Sequence, residues 1–233
     1  MVTPLNSLLI YMEHNESISR SEMLKWGKNE SRGIIGKMEA MSLVKRKDDE
    51  FRLSKNGYEY INNTLENLHV GTPHWDGMWR IVSFSIPEKD RPKRDKFRRF
   101  IETLGMRAFF NSLWVSPLDI KSKIAKYVKA NFLEKNVVTF EVTQNGTFSN
   151  TENLRSAWDL NPIREKYLNF IEKSNEILKS PERSDKYLLK LHIFEFATIV
   201  QEDPNLPIEF LPRDWPFYRA KQMYKRLRSA VVG

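Results

Sequence analysis

The segment from Trp75 to Pro117 constrains the fold of this chain more than any other part of the sequence. It opens with the series Trp-Asp-Gly-Met-Trp-Arg and continues with the apolar run 81–86, which has the length of a β-strand. Pro87 follows, and a proline often ends a strand because it has no backbone N–H to donate. Apolar residues then recur at helical spacing up to Leu104, which predicts a helix with one apolar face.

The residues that follow complete a regular order of elements. Residues 109–115 predict a hairpin of two short strands whose turn is Asn111-Ser112. A second helix is predicted over residues 118–132 and a last strand over 137–143. Strand, helix, strand, strand, helix, strand is the βαββαβ order of ferredoxin-like domains. We therefore predict a central ferredoxin-like domain over residues 77–145.

Residues 1–66 predict a winged helix-turn-helix domain. Apolar periodicity indicates three helices, which end near Met12, Trp26 and Met41, then a β-hairpin over 43–53 and a fourth helix capped by Ser54. In that fold the third helix enters the major groove of DNA, and the wing contacts the backbone. The predicted DNA-binding residues are Asn29, Ser31, Arg32 and Lys37 of the third helix, and Lys45, Arg46, Lys47 and Arg52 of the wing.

Two features of this first domain weigh against DNA binding. Gly33 and Gly36 each cost a helix about 1 kcal/mol relative to alanine. Residues 1–66 also carry 10 basic and 10 acidic side chains, so the domain is neutral as a whole. The alternative is a winged-helix fold that serves protein contacts or dimerisation. A neutral domain can still have one basic face, and duplex DNA therefore stays the predicted partner.

The rest of the chain reads as a linker and a helical domain. Residues 67–76 contain Gly-Thr-Pro and have the composition of a linker. Residues 146–233 are helical in pattern, with a proline-rich segment over 203–216 that forbids a long helix there and predicts a packed loop. We predict a C-terminal helical domain that caps the fold or dimerises. The fold class is therefore α+β, with three domains.

The positive charge of the chain is concentrated in the centre. The net charge is +8, and residues 77–145 alone carry 14 basic against 7 acidic side chains. Within residues 91–99 six cations and one acid give a net +5. This cluster predicts a face that binds phosphates, either of a DNA backbone or of a phosphorylated effector, and the alternative is a solvated helix face. The candidate phosphate-binding or effector-binding residues are Arg91, Lys93, Arg94 and Arg98.

Composition and motifs exclude several other classes of protein. The chain has no cysteine, which rules out disulfides and thiolate metal sites and fits a reducing cytoplasm. No apolar run approaches the roughly 20 residues of a membrane span, and the N-terminus does not read as a signal peptide. No nucleotide-binding, hydrolase or zinc-protease motif is present. We expect a cytoplasmic protein that is not an enzyme and uses no metal or cofactor.

The sequence resembles the PaaX family, the transcriptional repressors of phenylacetate catabolism. The resemblance rests on residues 75–80, on Phe-x-Ile-Pro-Glu at 84–88, on Trp-Val-Ser-Pro at 114–117, and on the motifs at 203–207 and 211–216. It implies an N-terminal winged helix, a Cas2-like centre and a helical C-terminal domain. It also implies a homodimeric repressor that binds a palindromic operator and releases it when an acyl-CoA, phenylacetyl-CoA, binds.

The chain departs from the family pattern at three places. Phe217 stands where the family has Gly, and Phe-Glu-Phe-Ala at 194–197 stands where the family has a His-x-Tyr-Arg-like patch. Ser85 stands where the family has Asp. If the C-terminal patch binds the effector of the family, these departures predict a different ligand or none.

The central unit is also similar to the Cas2 nucleases, which hold a metal through an Asp at the end of the first strand. The matching position here is Ser85, and a hydroxyl is a poor replacement for a carboxylate on Mg²⁺. The alternative function is therefore a Cas2-like nucleic-acid binder or metal-dependent nuclease that acts through the central basic helix.

Overall fold

The computed structural model describes residues 2–26, 31–66, 72–110, 112–143, 157–179 and 185–232. The chain divides into two compact units, each built from separate stretches of sequence. The first unit comprises Met1–Val70, Pro162–Asp203 and Trp215–Gly233. The second comprises Gly71–Asn161 and Pro204–Asp214.

The N-terminal part of the first unit contains four helices and a small antiparallel sheet. The helices are α1 (Pro4–Asn15), α2 (Arg20–Trp26), α3 (Ser31–Ala40) and α4 (Lys55–Glu66). The strands are β1 (Ile18–Ser19), β2 (Val44–Lys47) and β3 (Glu50–Leu53), in the order β1-β3-β2. The predicted helices and hairpin are confirmed. Strand β1, only two residues long, was not predicted because so short a run has no periodicity to detect.

Side-chain caps explain where these helices begin. The Ser19 hydroxyl accepts a hydrogen bond from the Glu22 backbone N–H at 3.3 Å, and the Glu22 carboxylate accepts one from the Ser19 backbone N–H at 3.0 Å. This is the reciprocal capping box that starts α2. The Ser54 hydroxyl accepts from the Gly57 backbone N–H at 3.0 Å, so Ser54 caps α4 as predicted.

Three further helices complete the first unit: α7 (Asn161–Ile177), α8 (Lys186–Glu202) and α9 (Phe217–Val232). Their core is aromatic, and the Tyr167 hydroxyl donates to Asp203 at 2.9 Å. The Tyr224 hydroxyl donates to the Leu65 carbonyl at 2.6 Å, which joins α9 to α4. Lys190 of α8 also forms an ion pair with Glu13 of α1. The C-terminal helices therefore pack directly on the N-terminal helices.

The second unit has the predicted βαββαβ order. Its elements are β4 (Met78–Phe84), α5 (Arg91–Thr103), β5 (Arg107–Phe110), β6 (Leu113–Ser116), α6 (Lys121–Ala130) and β7 (Val137–Thr143). The sheet order is β5-β6-β4-β7, with each neighbouring pair antiparallel. Strand β7 has the predicted bounds. Asn111 of the predicted hairpin turn lies outside the described residues.

Strand β4 differs from its prediction because its limits depend on its partners. It begins at Met78, which pairs with Thr143, and it ends at Phe84, which pairs with Val137. Beyond Phe84 the Ser85 backbone N–H donates to the Asn136 carbonyl at 2.9 Å, outside the regular ladder. The apolar run alone gave no sign of this cross-strand register.

Both faces of the central sheet carry a hydrophobic core. On one face α5 and α6 bury Phe97, Ile101 and Ile124 against Val82 and Trp114. The other face, which carries Trp79, Ile81 and Val115, packs against three buried side chains from later in the chain: Trp158, Leu206 and Phe210. The proline-rich segment is therefore a packed loop, as predicted, and its first part packs on the central sheet.

The Trp-Asp-Gly-Met-Trp-Arg series forms a turn closed by an ion pair. Two Arg80 nitrogens donate to the two Asp76 carboxylate oxygens at 2.7 and 2.5 Å. The same carboxylate accepts from the Met78 backbone N–H at 3.0 Å. Gly77 has a φ of 79°, a left-handed conformation that favours glycine. Because Arg80 is 6 % exposed, this pairing compensates a guanidinium that has lost most of its water.

We expect Asp76→Asn to lower the free energy of unfolding at pH 7 by about 1–2 kcal/mol, a moderate loss because the Asp76 side chain is half exposed. The hydrogen bonds from Arg80 lower the pKa of Asp76, so the pair stabilises the fold above the unfolded pKa of about 4 and less as the pH falls below it. Urea unfolding at pH 7 and at pH 3 should show a difference between variant and wild type that shrinks in acid.

The control is Asp119→Asn, because Asp119 is exposed and lies 3.9 Å from Arg80. It should change stability by less than about 0.5 kcal/mol. An Asp76 variant as stable as the wild type, or a loss of the same size at both pH values, would contradict this role.

Candidate nucleic-acid interface

Helix α3 presents an open surface to solvent. Gly33, Gly36 and Lys37 are exposed, whereas Met38 is fully buried in the core. A Cβ atom built on either glycine would meet nothing within 4 Å, so no internal packing requires glycine there. Bare backbone on the exposed face of a helix permits close approach by a partner. Of the other predicted α3 contacts, Asn29 and the side chains of Ser31 and Arg32 lie outside the described residues.

The β2–β3 hairpin carries exposed cations of two kinds. Lys45 and Lys47 lie two residues apart on one face of β2, and in the described part of the chain neither forms an ion pair. Arg52 forms an ion pair with Glu50 at 3.4 Å. The Arg46 Nε donates to the Asp48 carbonyl at 3.0 Å, and its guanidinium lies 5.7 Å from the centre of the Phe51 ring.

An open cavity of about 480 Å³ lies beside α3 within the first unit. Gly33, Ile34 and Lys37 of α3 form one wall. The N-terminal turn of α1, Tyr60 of α4 and Gln201 of α8 form the others. Lys37 therefore borders both the exposed surface of α3 and a cavity that the C-terminal helices help to form.

The predicted phosphate site on α5 is largely neutralised by carboxylates. Arg94 donates to Glu88 at 2.6 Å and lies 3.8 Å from Asp95, while Arg91 lies 3.7 Å from Glu88 and from Asp95. Lys93 lies 3.8 Å from Asp90. Three of the four candidates thus face three acids. The fourth, Arg98, lies 6.0 Å from the centre of the Trp114 ring. Phosphate binding at these residues stays a prediction.

Sequence reasoning missed a different set of central cations. They are three lysines of α6, Lys123, Lys126 and Lys129, and within the described residues none of them forms an ion pair. The same holds for Lys96, Arg98 and Arg99 of α5, which belong to the predicted cluster over residues 91–99. Helix α6 contains four lysines and no acid. This composition was a usable signal in the sequence, but the cations of α6 are less densely spaced than those of α5.

The C-terminal positions that depart from the family pattern are part of a core. Phe194, Phe196 and Ala197 are each 1 % exposed, and the Phe196 and Tyr224 rings stack at 4.8 Å. Phe217 is also buried and contacts the Tyr167 ring edge-on at 5.9 Å. At these positions the polar group that a ligand could reach is the partly exposed carboxylate of Glu195.

Two buried polar residues of this C-terminal core, His192 and Tyr167, have hydrogen-bond partners within it. His192 is buried, with Nε2 2.9 Å from the Ser174 hydroxyl and Nδ1 3.1 Å from Glu195. The contact with His192 lowers the pKa of Glu195. Burial, and then the neighbouring Asp203, raise the pKa of Tyr167 far above its usual range, so its hydroxyl keeps the proton that it donates.

The described residues provide no evident catalytic centre. Among them, no group of three or more His, Asp or Glu side chains could hold a metal ion. The Ser85 backbone, at the position that carries Asp in Cas2 nucleases, is bonded to Asn136 through its N–H and its carbonyl. No helix in the described ranges is long and apolar enough to cross a membrane.

Two family models match most of the chain. Residues 72–154 match the sequence model of the PaaX protein central Cas2-like domain. Residues 158–233 match that of the PaaX-like protein C-terminal domain. The chain belongs to the PaaX family. Members of this family are transcriptional regulators rather than enzymes. Membership confirms the Cas2-like centre that the motifs from Trp75 to Pro117 predicted.

A solved structure supports the fold. Uncharacterized protein Rv0674 from Mycobacterium tuberculosis is similar to this chain with a TM-score of 0.54 and 17% sequence identity, over 97% of this chain and 93% of that one. At this identity the likeness concerns the fold alone. Comparison with curated proteins gives no match.

Proposed function

We propose that this PaaX-family chain is a dimeric transcriptional repressor that binds a palindromic operator through an N-terminal winged helix-turn-helix. The observation that carries the proposal is the element order α1-β1-α2-α3-β2-β3 with the sheet order β1-β3-β2. In this order α3 follows α2 as a recognition helix does, and the β2–β3 hairpin is the wing. These N-terminal elements precede two domains of a regulator family in the chain.

The exposed surfaces of this domain suit the two kinds of DNA contact. The first turn of α3, with Ser31 and Arg32, would meet base edges, and Asn29 and Lys37 would flank it. The uncovered backbone at Gly33 and Gly36 supports close approach of the helix to the groove floor. Lys45 and Lys47, free of ion pairs in the described wing, would hold phosphates, with Arg46 and Arg52 beside them.

The outer edge of the central sheet supports dimerisation. Strand β7 pairs only with β4 in the described sheet, so its other edge has unpaired backbone groups. Val138 and Phe140 are 53% and 51% exposed, and they lie on the same face because they are two residues apart. An exposed apolar edge strand favours pairing with another strand. Antiparallel pairing of β7 with its copy would form a closed two-fold dimer.

The cavity beside α3 supports an effector that competes with DNA. A ligand in that cavity would contact Lys37, which is also a predicted DNA contact. Because the cavity walls include Gln201 of α8, an occupant would touch both N-terminal and C-terminal helices of the same unit. An acyl-CoA thioester is the effector class that family membership supports. A ligand that binds the free protein more tightly than the DNA complex must release DNA.

Arg32→Glu should abolish selection of an inverted repeat from a random pool of duplexes, because it places a carboxylate where a base or phosphate contact is proposed. We expect at least about a hundredfold loss of affinity for the selected site, with an unchanged thermal unfolding midpoint. Lys225→Glu is the matched control, since it reverses an exposed charge on α9. Operator affinity that survives in the Arg32 variant would reject the recognition helix.

Phe140→Glu should convert the dimer to a monomer, because two-fold pairing of β7 would bring two carboxylates together in an apolar interface. Light scattering coupled to size-exclusion chromatography would show the mass halve. Leu188→Glu, on the equally exposed surface of α8, should leave the mass unchanged. A variant that keeps the dimeric mass would exclude the β7 edge as the interface.

Phenylacetyl-CoA, but not free CoA, should release the operator in a fluorescence anisotropy titration. Gln201→Trp, which fills the rim of the cavity away from α3, should raise the thioester concentration for half release by about tenfold or more. Gln222→Trp on exposed α9 is the control. Release by neither thioester nor CoA would remove this effector class, and equal release in both variants would remove the cavity.

A further inference from the structure

The helical layer of the central unit carries a second basic surface, which we call the seam patch. It consists of Lys96 and Arg99 on α5 and Lys123 and Lys126 on α6. All four side chains are exposed. None of them belongs to the α3 surface or the wing, so DNA binding here is independent of those elements.

An aromatic stack joins the two halves of the seam patch. The Phe100 and Tyr127 rings lie 3.9 Å apart with an interplanar angle of 17°, so α5 and α6 meet along this contact. Burial raises the pKa of Tyr127, and the positive charge of the nearby Arg99 opposes that rise.

The two helices present their cations to the stack in the same way. Lys96 and Arg99 precede Phe100 by four residues and one, and Lys123 and Lys126 precede Tyr127 by the same intervals. Residues three and four apart share a helix face, so Lys96 and Lys123 lie on the side of their helices that carries the stacked ring. The residue after Lys96 and the residue after Lys123 are buried: Phe97 is 0% and Ile124 is 1% exposed. The cations therefore flank the stack on the outer side.

The charge of the seam patch is not cancelled nearby. In the described part of the chain none of its four cations forms an ion pair, and α6 contains no acid. Asp95, one turn before Arg99, is engaged with Arg91 and Arg94. Glu102 lies within a turn of Arg99, and the structure records no ion pair between these two described residues. The patch thus keeps a net positive field.

The first half of α5 differs in this respect. There Arg91, Lys93 and Arg94 face the carboxylates of three acids: Glu88, Asp90 and Asp95. The ion pairs are weak, but the opposed charges cancel the long-range field that attracts a polyanion. A phosphate chain should therefore bind at the seam patch rather than at the densest run of cations in the sequence.

We propose that the seam patch binds the phosphate backbone of duplex DNA without reading its sequence. Lys and Arg side chains spread over two helices suit repeated phosphates, whereas they do not enclose a small ligand. Each stacked ring covers one face of the other, and both rings also contact Phe97, which reduces the aromatic surface on which an unpaired base could stack. Duplex rather than single-stranded DNA is therefore the expected partner, and the contact adds to the proposed reading of an operator.

The test compares two quadruple variants on a random-sequence duplex of 30 base pairs. The first is Lys96→Gln, Arg99→Gln, Lys123→Gln and Lys126→Gln. The matched control, which removes four cations that lie among acids, is Lys89→Gln, Arg91→Gln, Lys93→Gln and Arg94→Gln. Fluorescence anisotropy between 50 and 200 mM salt gives the slope of log affinity against log salt, and circular dichroism verifies the fold. Each phosphate contact contributes about 0.9 to that slope.

We expect the seam variant to reduce the slope by about 2–4 and the affinity at 50 mM salt by at least about tenfold, and the control to change both by less than half as much. An unchanged slope in the seam variant would overturn the proposal, as would an equal loss in the control. Tighter binding of single-stranded DNA by the wild type would also overturn it.

The same experiment separates this site from operator recognition. On a selected operator the seam variant should lose affinity while its ratio of operator to random-duplex affinity stays within about twofold. Arg32→Glu should have the opposite effect and reduce the ratio of operator to random-duplex affinity. If no operator is selected at all, the random-duplex slopes still decide whether the seam patch binds DNA.

Discussion

The packing around Trp79 anchors the middle of the central sheet. Trp79 is fully buried, with ring centroids 5.5 Å from Trp75, 6.4 Å from Trp158 and 5.0 Å from Phe210. Its strand, β4, pairs with both β6 and β7, so displacement of this one side chain would disturb the whole sheet. The turn closed by Asp76 and Arg80 fixes where that strand begins. Trp158 and Phe210 pack on this face, whereas α5 and α6, which carry most of the cations of the unit, pack on the opposite face.

Most of the central fold could be predicted because its signals are local. The apolar spacing from Phe97 to Leu104 and the β-prone run at 137–143 identify a helix and a strand without knowledge of their partners. The start of β4 at Met78 could not be predicted, since it depends on pairing with Thr143 across the sheet. For the same reason the contact between Trp79 and Phe210, which lie more than a hundred residues apart, could not be predicted from local sequence.

The candidate site shows the same limit in its electrostatics. A count over residues 91–99 gives a strong positive cluster, but the carboxylates of Glu88 and Asp90 lie just outside that window and face its cations. Whether a cation is neutralised depends on three-dimensional distance, which a sequence window does not measure. The C-terminal departures from the family pattern predict a different ligand or none. The structure adds that Phe196 and Phe217 fill an aromatic core that also contacts α9, so these positions now serve packing.

The distribution of charge explains how such a regulator could combine selectivity with affinity. Residues 1–66 are neutral as a whole, so the proposed recognition helix and wing lack the net field that gives most DNA-binding domains their non-specific affinity. Residues 77–145 carry twice as many basic as acidic side chains and can supply that attraction. A base contact changes the ratio between sites, whereas a backbone contact changes affinity for all sites equally. Placing the two kinds of contact in different units would let salt set the occupancy of DNA while the operator preference stays nearly constant.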